Sequence, residues 1–361
     1  MLILGIETSC DETSAAVVRD GREVLSCVIS SSKNDFNALG GVIPEDAARK
    51  QLESILPVLT LTLEQAKISH KDLDAIAVTY GPGLLGSLLV GTSTARVLEK
   101  IWKKPLLPVH HTLGHLSSTW LKEVKSEKWK VKSGEKCIED DEPTFPILTL
   151  SVSGGHTDLW YRTSHTTGTL AGSTRDDAAG EAYDKGAVLL GLPYPGGPAL
   201  AALAEKGNET ACAFPHPLKH DTVPDFSFSG LKTSLKYLLR DMGPKAEDDK
   251  TRADIAASFQ NAINAHLLSR IEMALKIYPE TKELHLVGGV SANTHLRARA
   301  AECGARAGVT VRLPEKLTYC TDNAAMIASA AFFVRQENDT PHGAFQTHAT
   351  SSLQALLQPV S

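Results

Sequence analysis

Apolar and polar positions along the chain fall in short alternating blocks, with no single long period. Residues 2–6 are apolar, 7–13 polar, and 15–19 and 24–30 apolar again, which predicts a strand, a turn and two further strands. Pro44 opens a helical stretch to about residue 67, with Pro57 expected to kink or break it. Residues 75–80 read as a strand running into Gly81-Pro82-Gly83, followed by a helix over 84–102 and a strand over 106–110. The strand–turn–strand pattern returns at 146–160 around Ser153-Gly154-Gly155-His156-Thr157, about one domain's length further on. Helices over 177–190, 198–205, 230–240 and 251–277, a strand over 283–287, a helix over 291–307, a strand over 309–313 and a helix over 322–336 complete the pattern. The expected class is α/β, with two related lobes around a nucleotide cleft: a duplication, not a short repeat. Residues 1–109 with about 323–345 are expected in lobe I, and 110–322 in lobe II.

Composition narrows the function. The chain has 361 residues and a formal charge of −5, which disfavours an all-over basic nucleic-acid binder but leaves room for a local basic patch. The longest apolar runs, 84–90 and 327–334, are broken by Gly or Ser and fall short of the ~20 residues a membrane span needs. The apolar start is followed at once by Glu7, Asp11 and Glu12, unlike a secretory or transit leader, so a cytoplasmic location without membrane contact is expected. Cys10, Cys27, Cys137, Cys212, Cys303 and Cys320 contain no CxxC pair, so neither a disulfide framework nor a zinc ribbon is expected. Residues 122–142, Lys-rich and then acidic, interrupt the pattern and read as a solvated surface insertion or as a grip for RNA or a partner.

Four Gly- or hydroxyl-rich turns follow apolar strands, at 5–13, 81–86, 153–157 and 288–293. Such turns expose backbone N–H groups that cradle phosphates, and four of them across both halves point to a nucleotide-type ligand. No strand–helix junction carries GxxxxGK[ST] or GxGxxG, so the cradle is neither a P-loop nor a Rossmann turn. Strand–turn–strand phosphate loops in two lobes suit the actin, hexokinase and Hsp70 architecture. His111 and His115 stand four apart, so on a helix they share a face and can ligate one transition metal. Thr112 occupies the place where a zincin needs its Glu, which counts against a metalloprotease.

The stretches from Gly5-Ile6-Glu7-Thr8-Ser9-Cys10-Asp11-Glu12, Gly40-Gly41-Val42-Ile43-Pro44-Glu45 and His110-His111-Thr112-Leu113-Gly114-His115 carry a resemblance. Ser153-Gly154-Gly155-His156-Thr157, Phe226-Ser227-Phe228-Ser229-Gly230-Leu231-Lys232, Gly288-Gly289-Val290-Ser291-Ala292-Asn293 and Cys320-Thr321-Asp322-Asn323 continue it. In this order the sequence resembles the tRNA N6-adenosine threonylcarbamoyltransferase (TsaD) family, bacterial type, over nearly its whole length. The resemblance implies an actin-like ATPase (ASKHA) fold. It implies one metal per chain, Fe2+ before Zn2+, on His111, His115 and Asp322. It implies nucleotide binding at Ser151, Val152, Ser153, Gly154, Gly155, Asp184, Gly197 and Asn293, and catalytic acids at Asp11 and Glu12. The implied reaction moves a threonylcarbamoyl group from threonylcarbamoyl-AMP to adenosine 37 in the anticodon loop of tRNA, with TsaB-like and TsaE-like partner proteins.

Taken alone, the same residues have plainer readings. Asp322 reads as the N-cap of the last helix, Asn293 as a helix N-cap region, and Asp184 as a helix surface acid. Gly155 and Gly197 read as turn glycines, Asp11 and Glu12 as solvated turn acids, and Lys232 as an exposed helix lysine or a phosphate contact. Gln51, where the family typically has His, and Ala324, where it has Gly, depart from the pattern, as does the insertion at 122–142. Rival functions are a metalloprotease, a nucleotide-gated scaffold and a sugar kinase.

Overall fold

In the computed structural model the described residues are 1–31, 43–123, 142–337 and 345–360. Gly40, Gly41, Val42, Cys137 and most of the expected insertion, residues 124–141, lie outside them. The chain divides into two units, Met1–Thr144 with Pro314–Gln358, and Phe145–Leu313 with Pro359–Ser361.

The first unit is built on β1 (Leu2–Glu7), β2 (Glu12–Arg19), β3 (Glu23–Ser31), β4 (Ala75–Gly81), β5 (Leu106–His110) and β6 (Lys122–Glu123), in the order β5-β4-β1-β2-β3-β6. β1 pairs antiparallel with β2 and parallel with β4. Helices α1 (Pro44–Ala66) and α2 (Leu85–Trp102) supply the crossovers that parallel strands require. They bury Ile55, Val58, Leu59 and Val90 against Leu4, Ile6, Val17 and Val78. α1 continues through Pro57, which is exposed, so the carbonyl it leaves without a donor can be served by water.

The helix α3 (His111–Ser117) follows β5 directly, and α9 (Ala324–Glu337) packs on α3, β1 and β2. α9 approaches the sheet so closely that a Cβ on Gly5 would stand 2.2 Å from the Ala324 carbonyl oxygen. This is why the expected lobe boundary at 109/110 falls instead at Thr144/Phe145: the segment from His110 onward is packed into the first unit. Lys122 and Glu123, expected to start the insertion, pair with Glu23 and Val24 as an edge strand.

The second unit repeats the plan. Its strands are β7 (Ile147–Val152), β8 (Thr157–Arg162), β9 (Gly168–Ser173), β10 (Glu283–Val287) and β11 (Thr310–Arg312), in the order β11-β10-β7-β8-β9. The strand order of the first sheet from β5 to β3 is thus reproduced, as a duplication predicts. Its helices are α4 (Ala179–Leu189), α5 (Gly196–Ala204), α6 (Ser229–Met242), α7 (Asp249–Ile277) and α8 (Thr294–Ala307). The 29-residue α7 runs through the core, burying Phe259, Ile263, Leu267 and Ile271. Its start is capped by Asp248, whose carboxylate accepts from the Thr251 N–H at 3.0 Å. No disulfide joins the five described cysteines, and no described helix is long and apolar enough to cross a membrane.

Candidate metal centre and nucleotide-binding turns

β5 aims α3. Its last residue, His110, pairs with Gly81 of β4, and the helix begins at the next residue. The spacing of four brings His111 and His115 onto one face, with ring centroids 4.7 Å apart and planes nearly perpendicular at 87°. Both rings are buried. Asp322 faces them: its Oδ1 lies 3.1 Å from His115 Nε2 and 3.6 Å from His111 Nε2. The N-cap reading of Asp322 is overturned. The cap of α9 is Asn323, whose Oδ1 accepts from the Met326 N–H at 3.0 Å, so the Asp322 carboxylate is turned to the imidazoles.

The three ligand atoms lie within 4.8 Å of one another. Two imidazole nitrogens and one carboxylate oxygen suit Zn2+ or Fe2+, and three protein donors leave coordination positions open, as catalytic sites require. The residues therefore fit a metal.

Behind His111 stands Glu7, the last residue of β1 and fully buried. Its Oε2 lies 3.0 Å from His111 Nδ1 and accepts from the Thr79 hydroxyl at 2.6 Å. Its Oε1 accepts from the Ser9 N–H at 2.5 Å. The Ser9 hydroxyl also lies 3.1 Å from His111 Nδ1. Burial pushes the Glu7 carboxyl up, but the His111 charge and the hydrogen bonds from His111 and Ser9 outweigh it and hold the group below the ordinary glutamate value. Burial likewise pushes His111 down, yet the charges of Glu7 and Asp322 and the Glu7 hydrogen bond prevail and hold the imidazole up at about 9. Sequence reasoning did not single out Glu7. The available signal was a carboxylate ending a buried strand, where an apolar residue is expected.

Asp11 and Glu12 are buried, not solvated turn acids. Glu12 opens β2, and its charge helps to raise His111. The loop that carries them is tied down by Gln51 of α1, whose side-chain amide donates to the carbonyls of Cys10 at 2.9 Å and Glu12 at 3.0 Å.

In the second unit, Ser151 and Val152 end β7, and the turn that follows is closed at both ends. Ser153 N–H donates to the His156 carbonyl at 2.8 Å, and His156 N–H donates to the Ser153 hydroxyl at 3.1 Å. Gly180, at the start of α4, donates its N–H to the Ser153 carbonyl at 3.1 Å. Gly288 sits at φ +88°, and a Cβ there would stand 2.4 Å from the Val152 carbonyl oxygen, so only glycine fits. Gly154 and Gly155 differ: a Cβ on either would meet nothing within 4 Å.

Asp184 and Gly197 are brought together, the Asp184 Oδ1 accepting from the Gly197 N–H at 3.2 Å. Burial pushes the Asp184 carboxyl up, partly opposed by the N–H groups of Gly197 and Gly196. Asn293 caps α8, its Oδ1 accepting from the Leu296 N–H at 2.9 Å, so the capping reading holds for this side chain. Its Nδ2 donates to Gln260 at 2.8 Å. A cavity of about 520 Å3 adjoins this network, lined by Ala201, Glu205, Asn208, Gln260, Thr294 and His295.

The profile of a family described as TsaD, tRNA N6-adenosine threonylcarbamoyltransferase, matches residues 23–329. A protein of that name from Thermomicrobium roseum is 46% identical over 354 residues, covering 93% of this chain and 92% of its own. One from Moorella thermoacetica is 45% identical over 336 residues, covering 92% and 91%. Among solved structures, full-length HypF in its phosphate- and nucleotide-bound form aligns with a TM-score of 0.58 at 13% identity, over 95% of this chain and 56% of HypF. Component A of the Acidaminococcus fermentans (R)-2-hydroxyglutaryl-CoA dehydratase aligns with a TM-score of 0.50 at 15% identity, over 92% and 98%. Together with the repeated sheet order, these likenesses set the fold as actin-like ATPase (ASKHA) in class.

Proposed function

The chain belongs to the tRNA N6-adenosine threonylcarbamoyltransferase family, and on that footing we propose how its residues divide the work. It is a transferase that modifies tRNA. The donor is threonylcarbamoyl-AMP and the acceptor the N6 amine of adenosine 37 in tRNAs that read codons beginning with A. A C–N bond forms between the amine and the carbamoyl carbon. The mixed-anhydride C–O bond breaks, AMP leaves with the electron pair, and the amine gives up a proton. The anhydride is already activated, so the protein's task is alignment and stabilisation of charge growing on the carbonyl oxygen and phosphate. An anticodon-loop base splays out readily to meet such a site.

His111, His115 and Asp322 would hold one Fe2+ or Zn2+, which when bound supplies Lewis-acid polarisation and a template. Ser151, Val152, Ser153, Gly154 and Gly155 bind the nucleotide part of the donor, Ser151 and Val152 leading the strand into the turn and the Gly154 and Gly155 backbone lying against the ligand. Asp184 accepts from a ribose hydroxyl, Gly197 permits close approach, and Asn293 fixes the start of α8 beside the cavity. Asp11 and Glu12 orient the donor or take the amine proton. The protein works in the cytoplasm with TsaB-like and TsaE-like partners, a part of the reading that rests on family membership alone.

The observation that carries this reading is the convergence of His111, His115 and Asp322. The test supplies metal-replete protein with threonylcarbamoyl-AMP and unmodified tRNA, and reads nucleosides and released AMP. Threonylcarbamoyladenosine and AMP in equal amounts are expected. Metal-replete protein that leaves the tRNA unmodified, with its partner proteins present, would sink the reading.

A further inference from the structure

One buried carboxylate receives three donors. The Ser9 N–H, the Thr79 hydroxyl and His111 Nδ1 all lie within 3.0 Å of Glu7 oxygens, and Glu7 is wholly shielded from solvent. An ionised carboxylate only accepts, so the third partner must be an Nδ1–H. With its proton kept on Nδ1, His111 has Nε2, 3.6 Å from Asp322 Oδ1, as the atom from which a metal can displace a proton. His115 has no such support, because its Nδ1 is buried without a hydrogen-bond partner. We propose that Glu7 is the positioning residue of the metal centre, fixing His111 with its proton on Nδ1 and its Nε2 presented to the metal. This inference rests on the metal reading above.

In Glu7→Gln the backbone N–H of Ser9 still demands an oxygen, so the carboxamide NH2 turns to Thr79 and His111. Thr79 can rotate its hydroxyl and accept. His111 Nδ1 then faces an N–H donor in place of an anionic acceptor, which leaves its proton only the Ser9 hydroxyl or moves it to Nε2, the atom the metal needs. Partners of ligating histidines typically alter metal affinity 10–100-fold when replaced.

Metal-free wild type and Glu7→Gln are titrated with Zn2+ against a chromophoric chelator, and with Co2+ while its visible absorption is recorded. Circular dichroism and a thermal melt report the fold. A folded variant with Zn2+ affinity 10–100-fold weaker and a shifted Co2+ band is expected. A folded variant within twofold of wild type, with an unchanged band, overturns the proposal. A second measurement needs no variant. In Zn2+-loaded wild type with 15N-labelled histidine, His111 should show a protonated Nδ1 and a metal-bound Nε2, and a metal-bound Nδ1 overturns the proposal. Wild type that binds no Zn2+ refutes the metal reading itself, and this inference with it.

Discussion

Gly180 and Gly155 allow the turn after β7, proposed to hold the nucleotide, to be probed from behind and from in front. A Cβ on Gly180 would stand 2.5 Å from the Ser153 carbonyl oxygen, 2.7 Å from its carbon and 2.8 Å from the Gly154 Cα. Ordinary contact begins at 3.4 Å, so in Gly180→Ala the turn must retreat by about 0.9 Å or lose its hydrogen bond from Gly180. Gly180 lies in the helical start of α4, where alanine is otherwise favoured by up to about 1 kcal/mol, so the net stability change should stay within about 2 kcal/mol. Misplacement on this scale can cost about 100-fold in rate. Gly155→Ala does the opposite: its Cβ meets nothing within 4 Å, and its φ is one that other residues adopt. It should raise stability by about 0.4–1 kcal/mol through the unfolded chain. If the nucleotide lies against this turn, the added methyl meets the ligand and no protein atom. The assay is AMP and threonylcarbamoyl-AMP affinity by calorimetry, beside thermal melts and single-turnover transfer to tRNA. Both variants should melt close to wild type and bind at least tenfold more weakly. Unchanged affinity in both would show that the donor does not contact Ser153, Gly154 and Gly155.

Other expectations follow from the first unit. His111→Ala and His115→Ala should each lose the metal, read by elemental analysis, and most transfer activity, with circular dichroism unchanged. Metal-free His111 is held up at about 9, so its charged form stabilises the fold fully below its ordinary value of 6.5 and the effect is lost as pH rises through 9. The metal must displace that proton, so apparent Zn2+ affinity should climb about tenfold per pH unit below 9 and flatten above, by chelator competition; a flat profile from pH 6.5 to 9 would contradict the geometry. Gln51→Leu should cost about 1–3 kcal/mol by leaving the buried Cys10 and Glu12 carbonyls without their donor, and transfer activity should fall more than stability. Lys232 and Lys236 stand one turn apart on α6, and their double replacement by Glu should weaken tRNA binding and reduce its salt slope by about 2; an unchanged slope removes this face from the tRNA contact.

Much of this was legible because periodicity reports burial. Strands β1 and β4 are buried on both faces and read as near-continuous apolar runs, while β7 and β10 are equally buried but carry Thr149, Ser151, Glu283 and His285 among their apolar residues. β9, Gly-Thr-Leu-Ala-Gly-Ser, went unread because half its residues are Gly or Ser and it borrows its order from pairing with β8. The HxxxH spacing brought His111 and His115 onto one face, since a helix admits only one geometry for it. That Asp322 turns to these imidazoles did not follow from local pattern, because Asp322 and Asn323 are adjacent and either type caps a helix. Only the bond from Met326 N–H to Asn323 decides between them. The lobe boundary failed for a related reason: α9 comes last in the fold and packs on α3, a contact between distant residues that no window of sequence contains.

The duplication lets the two hairpin turns be compared on one scaffold. β1–β2 and β7–β8 are equivalent hairpins, each set against a parallel strand, β4 and β10. In both, a glycine just past that parallel strand stands against the hairpin backbone. A Cβ on Gly83 would lie 2.4 Å from the Ser9 carbonyl oxygen, and one on Gly288 would lie 2.4 Å from that of Val152. The close approach is therefore a property of the scaffold, and function enters through the last residue of the first strand. In β7 that residue is Val152, apolar and buried, and the turn after it carries Gly154 and Gly155, where an added Cβ would meet nothing within 4 Å. In β1 it is Glu7, a buried charge that three donors must satisfy. Satisfying it draws in Ser9, Thr79 and His111, and Gln51 holds the turn that follows. One hairpin ends on an apolar residue followed by two glycines, while the other ends on a carboxylate whose partners hold a histidine in place.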